Sequence, residues 1–199
     1  YNEPNNYSGK ISDAKWNYIQ FSAVAAIRKI DEDRVVCLSP MNFNSAHKLS
    51  SMLVKRSDKH IVADVHNYAP MRFTHQGAEW MDDSYKAEIP FSQDMMNDFE
   101  QALIVAEEYQ KETGIKVIIG EFGVYEKQVS EEDVSQFLSG AVKLMEKHNI
   151  TNCAYVGDTQ GDYEATVDAG IDFIWADYGF GKPERCDAVI HSFKELLNL

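Results

Sequence analysis

The residue types that could do chemistry include two glutamates, a histidine and a tyrosine. Three of them stand where apolar runs end, and one glutamate stands in the first residues of the chain. Glu3 lies in "YNEP", His66 and Tyr68 close the run that begins at residue 60, and Glu121 ends "IKVIIGE". Cleaving a glycosidic bond with retention needs a carboxylic acid that protonates the leaving oxygen and a carboxylate, about 5 to 5.5 Å away, that attacks the anomeric carbon. Glu3 and Glu121 are the natural pair for this chemistry, and His66 and Tyr68 are placed to donate hydrogen bonds to Glu121.

The elements that must position these side chains read as strands alternating with helices. Short β-branched runs alternate with amphipathic segments, which is typical of parallel strands joined by crossover helices. Strands are predicted over 34–39, 60–66, 115–121, 152–157, 172–177 and 187–191. Helical spacing predicts helices over 16–30, 99–109 and 134–145. The fold class is therefore α/β, and residues that follow the carboxyl ends of the strands share one face.

Composition excludes two classes of partner. The chain has 199 residues and a formal net charge of −13, so a nucleic-acid backbone would be repelled by most of its surface. No apolar run approaches the roughly 20 residues that a membrane helix needs. We therefore expect neither a nucleic-acid nor a membrane partner.

Three quoted motifs carry a family resemblance over about residues 1–150. "YNEP", "VHNYAPMRFTHQGAEW" and "IIGEFGVY", in this order and spacing, resemble glycoside hydrolase family 5, the cellulase-type TIM barrels. The resemblance implies a retaining endo-β-1,4-glucanase that acts on β-glucan polysaccharide or oligosaccharide, uses no cofactor and is secreted.

The same resemblance implies a role for each matching residue. Glu3 would be the general acid/base, Asn2 its substrate-orienting neighbour and Glu121 the nucleophile. His66 and Tyr68 would contact substrate and nucleophile.

Four aromatic side chains invite a second interpretation, since flat apolar sugar faces pack on aromatic rings. They are Trp16, Phe73, Trp80 and Tyr125. Trp16 falls on a helical stripe, which favours a place in the core. Trp80, in the long irregular stretch 67–92, is the better candidate for substrate binding.

The barrel implied by the resemblance is incomplete. A family member would place three further strand-helix units before "YNEP", and it would end on a strand that bears a site tryptophan. The missing strands would leave sheet edges open and remove donors from the cleft, so the chain could be inactive. A homodimer would cover the open edges.

From about residue 151 the chain resembles a different family. "YVGDTQGDYEATVDAGIDFIWADYGFG" is similar to the C-terminal third of haloacid-dehalogenase-like phosphatases of the phosphoglycolate phosphatase type. That resemblance implies magnesium at Asp158 and Asp162, a hard cation on carboxylate oxygens, and a cytoplasmic location. The required nucleophilic aspartate after an apolar strand is not found, and the alternative is a polar loop that caps the helix near residue 161.

The two resemblances together predict a chimera or fused fragment. Residues 1–150 would form a partial (β/α) barrel, and residues 151–199 would add flavodoxin-like or haloacid-dehalogenase-like βα units to the same sheet. Retaining glycoside hydrolysis is the leading function. The alternatives are a magnesium-dependent phosphatase remnant and an inactive scaffold.

Overall fold

The computed structural model describes residues 2–7, 9–150, 154–192 and 195. The strands are β1 Val36–Leu38, β2 Ile61–His66, β3 Lys116–Glu121, β4 Ala154–Gly157, β5 Asp172–Ala176 and β6 Ala188–Ile190. The helices are α1 Asp13–Ile27, α2 Met41–Asn44, α3 Met71–Thr74, α4 Met95–Thr113, α5 Glu131–Lys147 and α6 Gln160–Ala169. Short 3₁₀ turns occupy Ala46–Ser51, Asp83–Tyr85 and Glu126–Gln128. Within the described ranges, no helix has both the length and the apolar character needed to cross a membrane.

The chain divides into two units. The first comprises Tyr1–Tyr68 and Phe99–Phe122, and the second comprises Ala69–Asp98 and Gly123–Leu199. Each unit has its own three-stranded parallel sheet, in the order β1-β2-β3 in the first and β4-β5-β6 in the second.

The core of the first unit lies on one face of its sheet. The central strand β2 turns Ile61, Ala63 and Val65 inward, with exposures of 4% or less, as the period of two along a strand requires. α4 covers them with a stripe of small and large apolar side chains that are also buried, including Ala102 and Ala106. This packing fixes the end of β2, where His66 lies.

A break in strand pairing sets the position of Glu121. Val65 pairs with Ile119, but His66 pairs with Glu121, so Gly120 is the extra residue of a bulge. Bulges re-aim the side chain that follows them. A Cβ on Gly120 would lie 2.0 Å from Asp64 Oδ1, so only glycine fits this position without a shift. The bulge brings Glu121 level with His66 at the carboxyl end of the sheet.

The second unit is built around α5 and the sheet β4-β5-β6. Ser130 caps α5 by accepting a hydrogen bond from the Asp133 amide, and the helix buries Phe137, Ala141 and Met145 at helical spacing. α6 ends at Gly170, whose φ of 71° lies in the left-handed region that favours glycine.

All six predicted strands and the three predicted helices are confirmed within a few residues. The single continuous sheet is not: the described strands form two sheets. Parallel pairing is decided by contacts between distant segments, which runs of apolar letters do not specify. The predicted joint near residues 148–153 falls partly on residues 151–153, which lie outside the described residues, so the boundary itself stays a prediction.

Candidate active site

The two predicted carboxylates meet at one histidine of the first unit. His66 Nδ1 lies 2.8 Å from Glu3 Oε1 and 3.2 Å from Glu121 Oε2. One carboxylate oxygen of Glu3, one ring nitrogen of His66 and one carboxylate oxygen of Glu121 all lie within 4.8 Å of one another. The distance between the two carboxylates is therefore close to the roughly 5 to 5.5 Å of a retaining pair and well below the roughly 6.5 to 9.5 Å of an inverting pair.

Glu121 is surrounded by donors. The Tyr68 hydroxyl donates to Oε2 at 3.0 Å, and Asn2 Nδ2 donates to Oε1 at 3.3 Å. With His66, three side chains from two separate parts of the chain face this carboxylate and fix its orientation. The Glu121 side chain stays 35% exposed, so it is accessible to a ligand. The structure thus brings together Asn2, Glu3, His66, Tyr68 and Glu121.

The segment that carries Glu3 is tied to the turn α2. The Phe43 amide donates to the Pro4 carbonyl at 3.1 Å. The side chain of Asn5 turns back to donate to the carbonyl of Glu3 at 3.2 Å. These bonds hold a stretch without helix or strand in place, so the Glu3 carboxylate can remain next to His66.

Two further polar residues lie beside His66 and were missed by sequence reasoning. Asp64 Oδ2 lies 3.8 Å from His66 Nε2, and Asn44 Nδ2 lies 3.1 Å from the same nitrogen. Burial raises the pKa of the Asp64 carboxyl, and the charge of Glu121 raises it further. Asp64 did leave a signal, because it is a charge in an apolar strand, two residues before His66 and so on the same side.

The aromatic predictions have mixed outcomes. Phe73 is fully buried and packs on Phe91 and Phe137, so the prediction that it stacks on sugar is wrong. Trp16 is 7% exposed, as expected of a core residue, and its Nε1 donates to the Ser39 carbonyl.

Trp80 belongs to the second unit. It is 66% exposed and meets the ring of Tyr125 edge-on at 5.0 Å. Substrate binding by Trp80 therefore stays a prediction.

The predicted magnesium ligands make the contacts of a helix cap. Asp162 Oδ2 accepts hydrogen bonds from the Asp158 amide, the Thr159 amide and the Thr159 hydroxyl. Thr159 and Asp162 form a capping box at the start of α6. Asp158 Oδ2 in turn accepts from the Phe180 amide. One oxygen of each carboxylate is thus bound by the loop and the helix end, which favours the capping interpretation, and magnesium at Asp158 and Asp162 stays a prediction.

Comparison with known proteins decides the family. The model described as "Cellulase (glycosyl hydrolase family 5)" matches residues 1–161, which is most of the chain. The chain belongs to glycosyl hydrolase family 5. The matched residues include Glu121 and the four side chains gathered around it, those of Asn2, Glu3, His66 and Tyr68.

The relatives of this chain include a cellodextrinase and an endoglucanase by name. Cellodextrinase A of Ruminococcus flavefaciens is 31% identical over 144 residues, which are 69% of this chain and 41% of that protein. Endoglucanase 3 of Fibrobacter succinogenes is 32% identical over 96 residues, 47% of this chain and 14% of that protein. Cel5A of Thermotoga maritima, solved with cellobiose, is 29% identical with a TM-score of 0.66, covering 74% of this chain and 47% of that one. The chain thus spans less than half the length of the family 5 proteins it matches.

Proposed function

We propose that this family 5 chain carries the two catalytic glutamates of a retaining endo-β-1,4-glucanase, with Glu3 as general acid/base and Glu121 as nucleophile. The observation that carries the proposal is the approach of the two carboxylates to the Nδ1 atom of His66, at 2.8 and 3.2 Å. Two carboxylates this close leave no room for the water that an inverting enzyme holds between its base carboxylate and the sugar ring.

The unequal surroundings of the two glutamates support the assignment of roles. Glu121 faces Asn2, His66 and Tyr68, and these donors fix the orientation of the carboxylate that would attack. Glu3 faces His66, and its backbone is held by Asn5. In this assignment Glu3 carries a proton to the leaving oxygen and acts as base in the second step.

The substrate class is inferred from the family. The relatives named above are a cellodextrinase and an endoglucanase, and the matched Cel5A structure holds cellobiose. We infer a β-1,4-linked glucan or its oligosaccharides as substrate, with no cofactor and with a secreted location. Trp80 is proposed as a stacking platform for a sugar ring, because its side chain is 66% exposed and aromatic rings pack on the apolar faces of sugars.

The test is release of reducing sugar from soluble β-glucan by the chain and by Glu121→Gln. Gln keeps the size of the side chain and removes the nucleophilic oxygen, so we expect turnover to fall by at least about 10³-fold. Glu88→Gln, the same change at an exposed position, is the matched control. Equal sugar release from Glu121→Gln and the parent chain would refute the proposal.

For residues 151–199 we propose a structural rather than a catalytic role. The capping contacts of Asp158 and Asp162 support it, while descent from a phosphatase, and a chimeric origin, stay predictions. Magnesium-dependent hydrolysis of an aryl phosphate by the chain would favour the phosphatase alternative instead. Loss of turnover in both assays would leave the inactive scaffold.

We also propose a homodimer that would cover open sheet edges. In the first sheet β1 and β3 are the edge strands among the described residues, and open strand edges promote association. Sedimentation equilibrium across a range of concentrations distinguishes a dimer from a monomer, and a single monomer mass throughout would exclude it.

A further inference from the structure

A buried amide lies behind the histidine that joins the two glutamates. Asn44 is fully buried, and its Nδ2 atom lies 3.1 Å from His66 Nε2. The same nitrogen faces Ser39 Oγ at 3.1 Å and Asp64 Oδ2 at 3.3 Å. The reverse orientation would place the amide oxygen against the Asp64 carboxylate, where two acceptors repel each other. The amide nitrogen therefore faces the ring.

The amide decides which ring nitrogen of His66 carries the proton. An amide N–H only donates, so the Nε2 atom that it faces must offer a lone pair. In the neutral ring the single proton then sits on Nδ1, the atom that lies 2.8 Å from Glu3 and 3.2 Å from Glu121. The opposite tautomer would point a lone pair at two carboxylates, which is unfavourable.

We propose that Asn44 is a positioning residue that selects the Nδ1–H tautomer of His66 and so keeps one proton donor between the two glutamates. The inference deepens the proposed function and rests on it. In a retaining cycle the negative charge starts on the nucleophile and passes to the acid/base residue once the glycosyl ester has formed. A donor shared by Glu3 and Glu121 follows that charge without moving, since both oxygens are within reach of Nδ1.

The backbone at Asn44 supports a dedicated position. Asn42, Phe43 and Asn44 have φ values of 63°, 60° and 54°, a left-handed conformation that is uncommon for residues other than glycine and that asparagine tolerates best. Such runs persist only where the surroundings hold them. Ser39, an acceptor for the Asn44 amide, is itself fixed by Gln20, whose side-chain oxygen accepts from the Ser39 amide at 2.8 Å.

Asp64 plays the opposite part. Its carboxylate lies 3.8 Å from Nε2 and would attract a proton to that atom. The two N–H groups of Asn44 are shared among Ser39 Oγ, Asp64 Oδ2 and the ring, so the Asp64 carboxylate has a donor other than Nε2. The balance between the amide and the carboxylate gives the proposal two variants with opposite expectations.

The experiment is long-range ¹H–¹⁵N NMR of the side chains of the whole chain at pH 7. His66→Gln identifies the His66 signals among those of six histidines. We expect Nδ1 to be protonated and Nε2 to be bare. In Asn44→Asp the donor becomes an acceptor, and aspartate also tolerates a positive φ, so Nε2 should become protonated. Asp64→Asn keeps the amide of Asn44 and should leave the Nδ1–H tautomer unchanged.

The spectrum and the kinetics answer different questions. Because the NMR readout needs no turnover, an inactive chain with a protonated Nδ1 and a bare Nε2 would sink the proposed function and leave the tautomer assignment standing. In an active chain, Asn44→Asp should lower kcat by up to about a hundredfold, the effect of a misplaced catalytic contact, with KM little changed.

Three results would overturn the proposal. One is a parent spectrum with Nε2 protonated and Nδ1 bare, and another is a parent spectrum with both nitrogens protonated at pH 7. The third is a folded Asn44→Asp variant whose His66 signals match those of the parent. Even if that variant does not fold, the parent spectrum alone decides between the tautomers.

Discussion

Glu121 in the first unit and Asp162 in the second are both carboxylates surrounded by donors, but the donors come from different places. Asp162 Oδ2 accepts hydrogen bonds from Asp158 and Thr159, at most four residues away. Glu121 meets side chains from 53 to 119 residues away and stays 35% exposed. Donors from the adjacent loop build a helix cap, whereas donors gathered from distant elements hold a partly exposed carboxylate that a ligand can reach.

The largest effect should follow from Glu3→Gln. This change removes a transferable proton, so glucan hydrolysis should fall by about 10² to 10⁴-fold, the usual contribution of general acid-base catalysis. An activated aryl glycoside needs less help from an acid, so its cleavage should fall less. Glu121→Gln should depress both substrates alike. Steady-state rates on both substrates measure this, and equal losses for Glu3→Gln on both would deny Glu3 the role of acid.

Tyr68→Phe should have the next largest effect. It deletes the hydroxyl that donates to Glu121 Oε2 at 3.0 Å. A hydrogen bond to a charged group is worth about 1.5 to 3 kcal/mol, so kcat should fall by roughly 10- to 100-fold. Tyr18→Phe, at a tyrosine that is 73% exposed, is the control and should leave kcat unchanged. A rate for Tyr68→Phe that equals that of the control would show that this contact does not act on the nucleophile.

Asp162→Ala should instead act on stability. Losing the helix cap should lower the free energy of unfolding by about 1 to 2 kcal/mol, measured by urea denaturation. Glu164→Ala removes the same charge from an exposed position of α6 and should cost less. Since the contacts of Asp162 are those of a helix cap, added magnesium should leave the Tm of the parent chain unchanged. A rise in Tm with magnesium that Asp162→Ala abolishes would support the predicted metal site instead.

His66 and Glu121 were predictable because each stands at the end of an apolar run. Glu121 ends β3, and His66 ends β2. The interaction between them depends on the bulge at Gly120, and a glycine letter does not state that pairing shifts there. Asn44 was out of reach for a similar reason, since its place depends on a backbone turn with positive φ.

The second unit shows the other limit of sequence reasoning. The letters of "GDTQGD" suit a helix cap and also a magnesium loop, and the hydrogen bonds that Asp162 accepts favour the cap. Phe73 lies in the stretch 67–92, which the sequence marks as irregular, yet α5 supplies Phe137 to pack on it. Local hydrogen bonds decided the first outcome, and packing between segments distant in sequence decided the second.

The smallest predicted effects concern one ion pair in each unit, and they have opposite dependence on pH. Arg28 donates two hydrogen bonds to Asp58, at 2.8 and 3.2 Å, and holds the pKa of that carboxyl below its ordinary value. Asp177 raises the pKa of His191 by accepting a hydrogen bond from its ring. The first pair stabilises the fold above the unfolded value of about 3.9, and this contribution is lost as the pH falls through the lower folded value.

The second pair stabilises the fold below the unfolded histidine value of about 6.5, and its contribution is lost as the pH rises through the higher folded value. Asp58→Asn should therefore lower the Tm at pH 7, with the difference from the parent closing in acid. Asp177→Asn should lower the Tm at pH 5 and converge with the parent at alkaline pH. Thermal unfolding from pH 3 to 9 measures both differences. Parallel curves for parent and variant would show that the pair concerned contributes nothing through its charge.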